Sequence, residues 1–304
     1  FRDGDFSILG EGEKVLLSSC YEQVRSIYDV PGFISFRDGM YHFYHDGEEL
    51  KYIGTNPCGE IILRDRGLCN LCSVICRPTD SVEDLERKVR YGAIIGTLQS
   101  SMTDFHHVSK KFKENCEAER LLGVSLTGQI ECPALWGKGV LSQLRDVACT
   151  TNAEYAAKWG ISPSLAVTAV KPDGTVSVVV SATHGLHAAY SPYYIRRLRI
   201  GANDPIAHYL YEKGVPCHPE NGFDWLSTNV YVFEFPIKAP GKALTREKQD
   251  EYMALERWMR LKKEYTQHNP SVTIDVRQEQ WDGVGQWVYR NFRDVGGLSF
   301  LPFF

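Results

Sequence analysis

Within the 304 residues, the segment Gly54-Thr55-Asn56-Pro57-Cys58-Gly59-Glu60 is the densest in groups that can do chemistry. Glycine and proline shape it into a loop. If the chain is extended there, alternate residues project to one side, so Asn56, Cys58 and Glu60 face one cavity. That places a redox-capable sulfur, a proton acceptor and a hydrogen-bonding amide within reach of one small substrate. Such a set suits chemistry on a hydroxylated carbon. The plain alternative is a loop with a buried cysteine and a surface glutamate.

Four of the nine cysteines fall between 58 and 76, three of them in Leu68-Cys69-Asn70-Leu71-Cys72-Ser73-Val74-Ile75-Cys76. A Cys-x2-Cys pair invites a zinc reading, but the chain holds no second such pair and no His-x3-His. If 69–76 is a strand, Cys69 points away from Cys72 and Cys76. Cys69 then shares a face with Leu71 and Ser73, where it could meet Cys58, and Cys72 and Cys76 are small core residues. No metal site is expected.

Lys171-Pro172-Asp173-Gly174-Thr175-Val176-Ser177 follows a predicted strand. Pro-Asp-Gly is a turn signature, so one reading is a hairpin. The other is an anion cradle, in which Gly174 allows close approach, Thr175 and Ser177 offer hydroxyls, and a following helix aims its N–H groups at a phosphate. Spacing leaves both open. Tyr193-Tyr194-Ile195-Arg196-Arg197-Leu198-Arg199 could contact phosphates, although ion pairing at a strand edge is commoner. His184 and His187, flanking Gly185, read as structural.

The elements that must position these groups read as α/β. Helices are predicted over 13–28, from 82 towards 102 with Asp80 and Glu83 as a capping box, over 141–158 with a stop at Gly160, over 246–265 and over 278–292. Strands are predicted over 165–170, 193–200, 230–236, 272–276 and 297–303, with a turn at Pro31-Gly32, extended aromatic residues around 41–44 and a loop over 55–67. Strands alternating with helices imply a largely parallel sheet with helical crossovers, built as one unit.

With 34 Lys+Arg against 38 Asp+Glu, the net charge of -4 speaks against a general nucleic-acid or membrane-surface binder. A hydrophobic content of 43% supports a sizeable core and excludes disordered and fibrous classes. No apolar run approaches the roughly 18 residues that span a bilayer. The first residues lack the pattern of a signal peptide, so the chain reads as cytoplasmic and as beginning inside a longer product.

Taken in order, these residues resemble a ribonucleotide reductase, specifically the adenosylcobalamin-dependent class II enzymes of the monomeric type. The resemblance rests on eight collinear segments: Asn56–Ile61, Cys69–Leu71, Gly96–Gln99, Arg120–Gly128, Lys171–Thr175, Tyr193–Arg197, Pro270–Ile274 and Ser299–Pro302. Pro31-Gly32-Phe33 is similar to the family's segment upstream of the active-site loop. The resemblance implies part of a ten-stranded α/β barrel, mainly the finger loop and the C-terminal half-barrel, with residues 1–50 as lead-in and 51–304 as the catalytic barrel unit. It implies reduction of ribonucleoside triphosphates or diphosphates to 2′-deoxyribonucleotides with adenosylcobalamin as cofactor.

By the same resemblance, Cys58 is the thiyl radical that removes the substrate's 3′ hydrogen. Glu60 takes the 3′-hydroxyl proton, Asn56 bonds the ribose hydroxyls and Cys69 is one of two reducing thiols. Gly174, Thr175, Val176 and Ser177 match the phosphate cradle, which favours the anion reading. The implied partners are the ribonucleotide substrate, deoxynucleotide or ATP effectors, a thioredoxin-like reductant and an N-terminal half that carries the second reducing cysteine. Cys20 lies in the wrong order for that cysteine, and the family's C-terminal cysteine pair has no counterpart before Phe304. The chain alone is therefore expected to be inactive. Rival expectations are a class I large-subunit fragment, a non-catalytic zinc or interaction module on Cys69 and Cys72, and a half-barrel that binds nucleotide without chemistry.

Overall fold

The structure, a computed structural model, describes residues 33–37, 40–45, 48–220, 228–240, 243–292 and 294–303. The helix expected over 13–28, the turn at Pro31-Gly32 and Cys20 lie outside these residues.

An antiparallel sheet leads into the first site. Its strands β1 (Phe33–Arg37), β2 (Met40–His45), β3 (Glu48–Thr55) and β4 (Ile62–Arg64) are neighbours in that order. Thr55 pairs with Ile62, so β3 and β4 form the two sides of a hairpin whose tip is 56–61. The loop expected over 55–67 is thus partly strand.

Beyond the hairpin, five parallel segments stand side by side. β5 (Asn70–Ile75) pairs with β6 (Leu122–Thr127), from Asn70 opposite Leu122 to Ile75 opposite Thr127. Val124 of β6 bridges Thr168, and Val170 bridges Pro270, both in parallel. The segment expected as a strand over 165–170 is therefore extended and laddered, but only through isolated bridges. After Pro270 the chain continues as β10 (Thr273–Val276), which pairs in parallel with β11 (Ser299–Pro302). The strands expected near 193–200 and 230–236 form β7 (Tyr193–Gly201) and β9 (Val230–Lys238). They pair antiparallel with each other and, through β9, with β8 (Cys217–Pro219), in a separate sheet. The parallel sheet is accordingly one part of a mixed architecture.

Helix α1 (Val82–Ser100) buries Leu85, Val89, Ala93 and Gly96 on one side, at helical spacing. Its capping box is Ser81 with Asp84, not Asp80 with Glu83. Asp80 instead accepts from the Arg77 N–H at 2.8 Å and from Lys88 Nζ at 2.6 Å. The helix lies on β5 and β6 so closely that a Cβ on Gly92 would stand 3.0 Å from Val74 and 3.3 Å from Val124. Short α2 (Lys110–Glu119) was not expected. It is largely charged and buries only Asn115, Cys116 and Glu119.

α3 (Val140–Trp159) ends as expected at Gly160, whose φ is 67°. α4 (Val176–Val179) is a single turn, and α5 (Pro205–Glu212) follows β7. α6 (Glu251–Glu264) starts later than 246 because Asp250 caps it, accepting from the Met253 N–H at 3.0 Å, while 246–248 form a 3-10 turn. α7 (Trp281–Arg290) likewise follows a 3-10 turn at 278–280 and buries Val284. One core joins the outer face of the parallel segments to α1, α3, α6 and α7, with Leu126, Leu144, Leu255, Trp258 and Ile274 fully buried.

Candidate active site

The hairpin tip is closed by Asn56. Its backbone N–H donates to the Ile61 carbonyl at 3.1 Å, its carbonyl accepts from the Gly59 N–H at 3.0 Å, and its Oδ1 accepts from the Ile61 N–H at 3.1 Å. Side-chain oxygen and backbone are thus spent on the loop itself, and the amide Nδ2 is the group left for a ligand. Cys58 is exposed at the tip, whereas Glu60 is 1% exposed and its Oε2 has no hydrogen-bond partner among the described residues. A buried carboxylate oxygen without a donor is costly unless a ligand completes it.

The tip is fastened to the fourth parallel segment. The Asn269 N–H donates to the Glu60 carbonyl at 2.9 Å, and Ser271 Oγ donates to the Cys58 carbonyl at 3.0 Å. Asn269 is itself buried and held through Nδ2 by the Gly297 carbonyl at 3.1 Å. Two adjacent parallel segments therefore set where Cys58 and Glu60 stand.

Cys69 immediately precedes β5. Its Sγ would lie 3.6 Å from a Cβ on Gly123, a position also crowded by Leu71, so Cys69 and Leu71 share the face opposite α1. Cys72 is on the other face, donating to the Gly92 carbonyl of α1 at 3.0 Å, and Cys76 is fully buried in the core. The alternation read from the sequence holds, with the sulfurs of Cys69 and Cys72 on opposite faces of β5. Next to Cys69, His268 is fully buried with Nε2 4.0 Å from Sγ and 2.9 Å from the Leu122 carbonyl, which fixes the ring proton on Nε2.

The electrostatics join these groups. Burial raises the Cys58 thiol above its usual range, the Glu60 carboxylate raises it further, and Lys171 opposes both. Cys69 is raised well above 9.0, first by burial and then by Glu60 and Cys72, again against Lys171. Both sulfurs feel the same carboxylate and the same ammonium. Both are S–H at neutral pH, the form that gives or loses a hydrogen atom; neither is a poised thiolate nucleophile.

The 171–177 segment is not a hairpin. Asp173 takes the left-handed region at φ 53°, and the chain passes directly into α4. Gly174, Thr175 and Val176 are exposed, and their N–H groups have no partner among the described residues. Ser177 is different: it is buried, its N–H and Oγ both bond the Asp173 carbonyl, at 3.1 and 2.6 Å, and Oγ also meets His184 Nδ1. Its hydroxyl is not available to a ligand, so the cradle expected over 174–177 offers 174–176. The arginine run divides as well. Arg197 and Arg199 pair with Glu234 at 2.8 Å and Glu220 at 2.7 Å, while Arg196 reaches the Gly174 carbonyl at 3.1 Å.

Lys171, Asp173, Ser73, His268, Asn269 and Ser271 were not singled out by the sequence. Lys171, Asp173, Ser73 and Ser271 fall inside segments read above, Ser73 on the face of Cys69, but with no role of their own; His268 and Asn269 are ordinary residue types placed by contacts of long sequence separation.

No protein-family model matches the chain. Curated relatives are adenosylcobalamin-dependent ribonucleoside-triphosphate reductases. That of Lactobacillus acidophilus is 28% identical over 229 residues, covering 64% of this chain and 29% of the relative. That of Levilactobacillus brevis is 25% identical over 296 residues, covering 85% and 38%. That of Euglena gracilis is 26% identical over 264 residues, covering 84% and 35%. The chain thus spans 29 to 38% of the length of these relatives. A crystal structure of a B12-dependent class II ribonucleotide reductase shares the fold with a TM-score of 0.64 at 23% identity, over 83% of this chain and 39% of that one. The mixed α/β architecture is that of part of such a barrel. No helix among the described residues is long and apolar enough to cross a membrane.

Proposed function

We propose that this chain, a relative of the adenosylcobalamin-dependent ribonucleoside-triphosphate reductases, forms the finger loop and second half-barrel of such an enzyme. It reduces ribonucleoside triphosphates, or diphosphates, to 2′-deoxyribonucleotides. One observation carries the reading: segment 269–271 holds the hairpin tip with Cys58 and Glu60, and Cys69 shares their electrostatic environment.

In this reading Cys58, as a thiyl radical, removes the 3′ hydrogen of the ribose. Glu60 accepts the 3′-hydroxyl proton at its unpartnered Oε2, and Asn56 donates from Nδ2 to a ribose hydroxyl. Cys69 supplies one of the two thiols consumed as the 2′-hydroxyl leaves as water; the second comes from the N-terminal half. Burial keeps water from the Glu60 carboxylate. The amides of 174–176 receive the phosphates, with Arg196 nearby. Adenosylcobalamin, when bound, supplies the homolysis that starts the radical. The exposed Cys58 thiol fits a group approaching from outside this chain, and the chain's task is to hold that sulfur in place.

The reading includes residues 1–50 as lead-in and 51–304 as the barrel unit, with β3 carrying the chain across. It also includes deoxynucleotide or ATP effectors, a thioredoxin-like reductant, the N-terminal half as partner and a cytoplasmic location. The relatives' cobalamin dependence favours it over a class I subunit, and the divergent sulfurs of Cys69 and Cys72 count against a zinc module. The test is Cys58→Ser in the complete enzyme assayed with adenosylcobalamin. Deoxynucleotide formation is expected to vanish while nucleotide binding persists; retained reduction overturns the assignment.

A further inference from the structure

An aspartate just before the first turn of a helix ordinarily caps it, its carboxylate accepting from the amides that follow. Asp173 lies two residues before Thr175, the N-cap of α4, and its carboxylate does not cap that turn. Its Oδ1 turns inward, where it accepts from Ser73 Oγ at 2.8 Å and lies 3.1 Å from Lys171 Nζ. Lys171 Nζ also donates to Ser73 Oγ at 3.3 Å, and the Lys171 N–H donates to Ser125 Oγ at 2.8 Å. β5 and the 165–173 segment thus meet at one carboxylate whose side chain is 1% exposed, with β6 holding the Lys171 backbone, and its Oδ2 has no partner among the described residues. The amides of 174–176 have no partner among the described residues.

A carboxylate beside an anion site is a liability twice over. Its charge repels a phosphate, and its oxygens can take the amides the phosphate needs. We propose that Lys171 and Ser73 form a clamp that neutralises Asp173 and holds it off the 174–176 amides, and that without the clamp Asp173 becomes an intramolecular competitor of the nucleotide phosphate. Lys171 and Ser73 are positioning residues in this scheme, acting through Asp173. The proposal rests on the reading of 174–176 as the phosphate site.

Other groups around Asp173 do not replace the clamp. Arg196 is engaged on the Gly174 carbonyl, His184 is held neutral by burial and by Arg196, and Cys72, on the opposite face of β5, has its thiol raised to about 11. Lys171 is the cation in direct contact with the carboxylate. The left-handed backbone at residue 173 makes glycine the replacement that removes the carboxylate without strain.

The experiment is titration calorimetry of the intact protein with CTP and with inorganic tripolyphosphate at pH 8. Lys171→Met is expected to weaken both ligands about tenfold relative to wild type. Lys171→Met with Asp173→Gly recovers to within about threefold of wild type, and Lys171→Arg keeps most of the affinity. Ser73→Ala, which removes one hydrogen bond, gives a loss of about threefold, and it serves if Lys171→Met does not fold.

A double variant as weak as Lys171→Met overturns the proposal, because Lys171 would then bind phosphate itself. So does a Lys171→Met protein that binds as wild type does. Gly174→Glu separates this from the site assignment, since a Cβ at Gly174 meets nothing within 4 Å and the added carboxylate should only repel the ligand. Wild-type binding unaffected by Gly174→Glu, or absent altogether, overturns the site reading and the proposal with it. Binding lost in Gly174→Glu but indifferent to the clamp overturns the clamp alone.

Discussion

The Asn269 N–H donates to the Glu60 carbonyl at 2.9 Å across 209 residues of chain. Two residues on, Ser271 Oγ holds the Cys58 carbonyl at 3.0 Å. The reactive tip is thus pinned by backbone and side-chain bonds from one rigid segment, leaving the thiol and carboxylate free of structural duty.

Ser271→Ala releases one of these pins. A single hydrogen bond contributes about 1 kcal/mol to stability, so the melting temperature should move only a few degrees. Displacing a reacting sulfur matters more. Turnover in the complete enzyme is expected to fall about tenfold with KM little changed. Unchanged kcat would show that Ser271 does not position the tip.

Both thiols are raised, so their thiolates accumulate only above pH 9. Alkylation by iodoacetamide, followed residue by residue by peptide mass spectrometry, should be slow at pH 7 and climb through pH 9 to 10. Exposed Cys58 should lead half-buried Cys69. Since Lys171 lowers both, Lys171→Met should move both profiles to higher pH. Rapid labelling of either cysteine at pH 7 would contradict the hydrogen-atom-donor assignment.

How much of this was legible in the sequence depended on distance along the chain. Asn56, Cys58 and Glu60 lie within five residues, and period-two alternation correctly sent Cys69 to the opposite face from Cys72. The cap of α1 was misplaced by one residue, because Asp80-Ser81 and Glu83-Asp84 offer two overlapping pairs; only the extended backbone at Ser81 selects between them. β6 was not predicted, as all six residues are buried and Gly123, Ser125 and Thr127 hide its apolar character. The Ser73–Asp173 and Cys58–Ser271 contacts join residues 100 and 213 positions apart, which no local pattern reports.

Gly185 controls the segment behind the cradle. Its φ is 45°, and a Cβ there would collide with the Lys171 carbonyl. Gly185→Ala must shift the 171–173 backbone, and a loss of about 2 kcal/mol is expected in denaturant unfolding. CTP affinity should fall in the same variant. A protein of wild-type stability would mean that the 171–173 and 185 segments separate more easily than this packing implies.

His268 predicts an acid limb in the stability curve. Burial lowers its pKa from 6.5 to about 4, the largest cause being desolvation, with the Leu122 carbonyl opposing and Lys262 assisting. Between those values the unfolded chain holds the additional proton, so stability is full above pH 6.5 and is lost as the pH falls towards 4. For this fully buried ring the change amounts to up to about 3 kcal/mol. His184 and His187, also lowered by burial, act in the same direction. His268→Gln keeps an N–H donor for the Leu122 carbonyl but cannot titrate. Urea midpoints from pH 4.5 to 7.5 should therefore decline less steeply in the variant, even if its neutral-pH stability is about 1 kcal/mol lower. Parallel curves for variant and wild type would mean that the His268 ring takes up its proton in the fold as readily as in the unfolded chain.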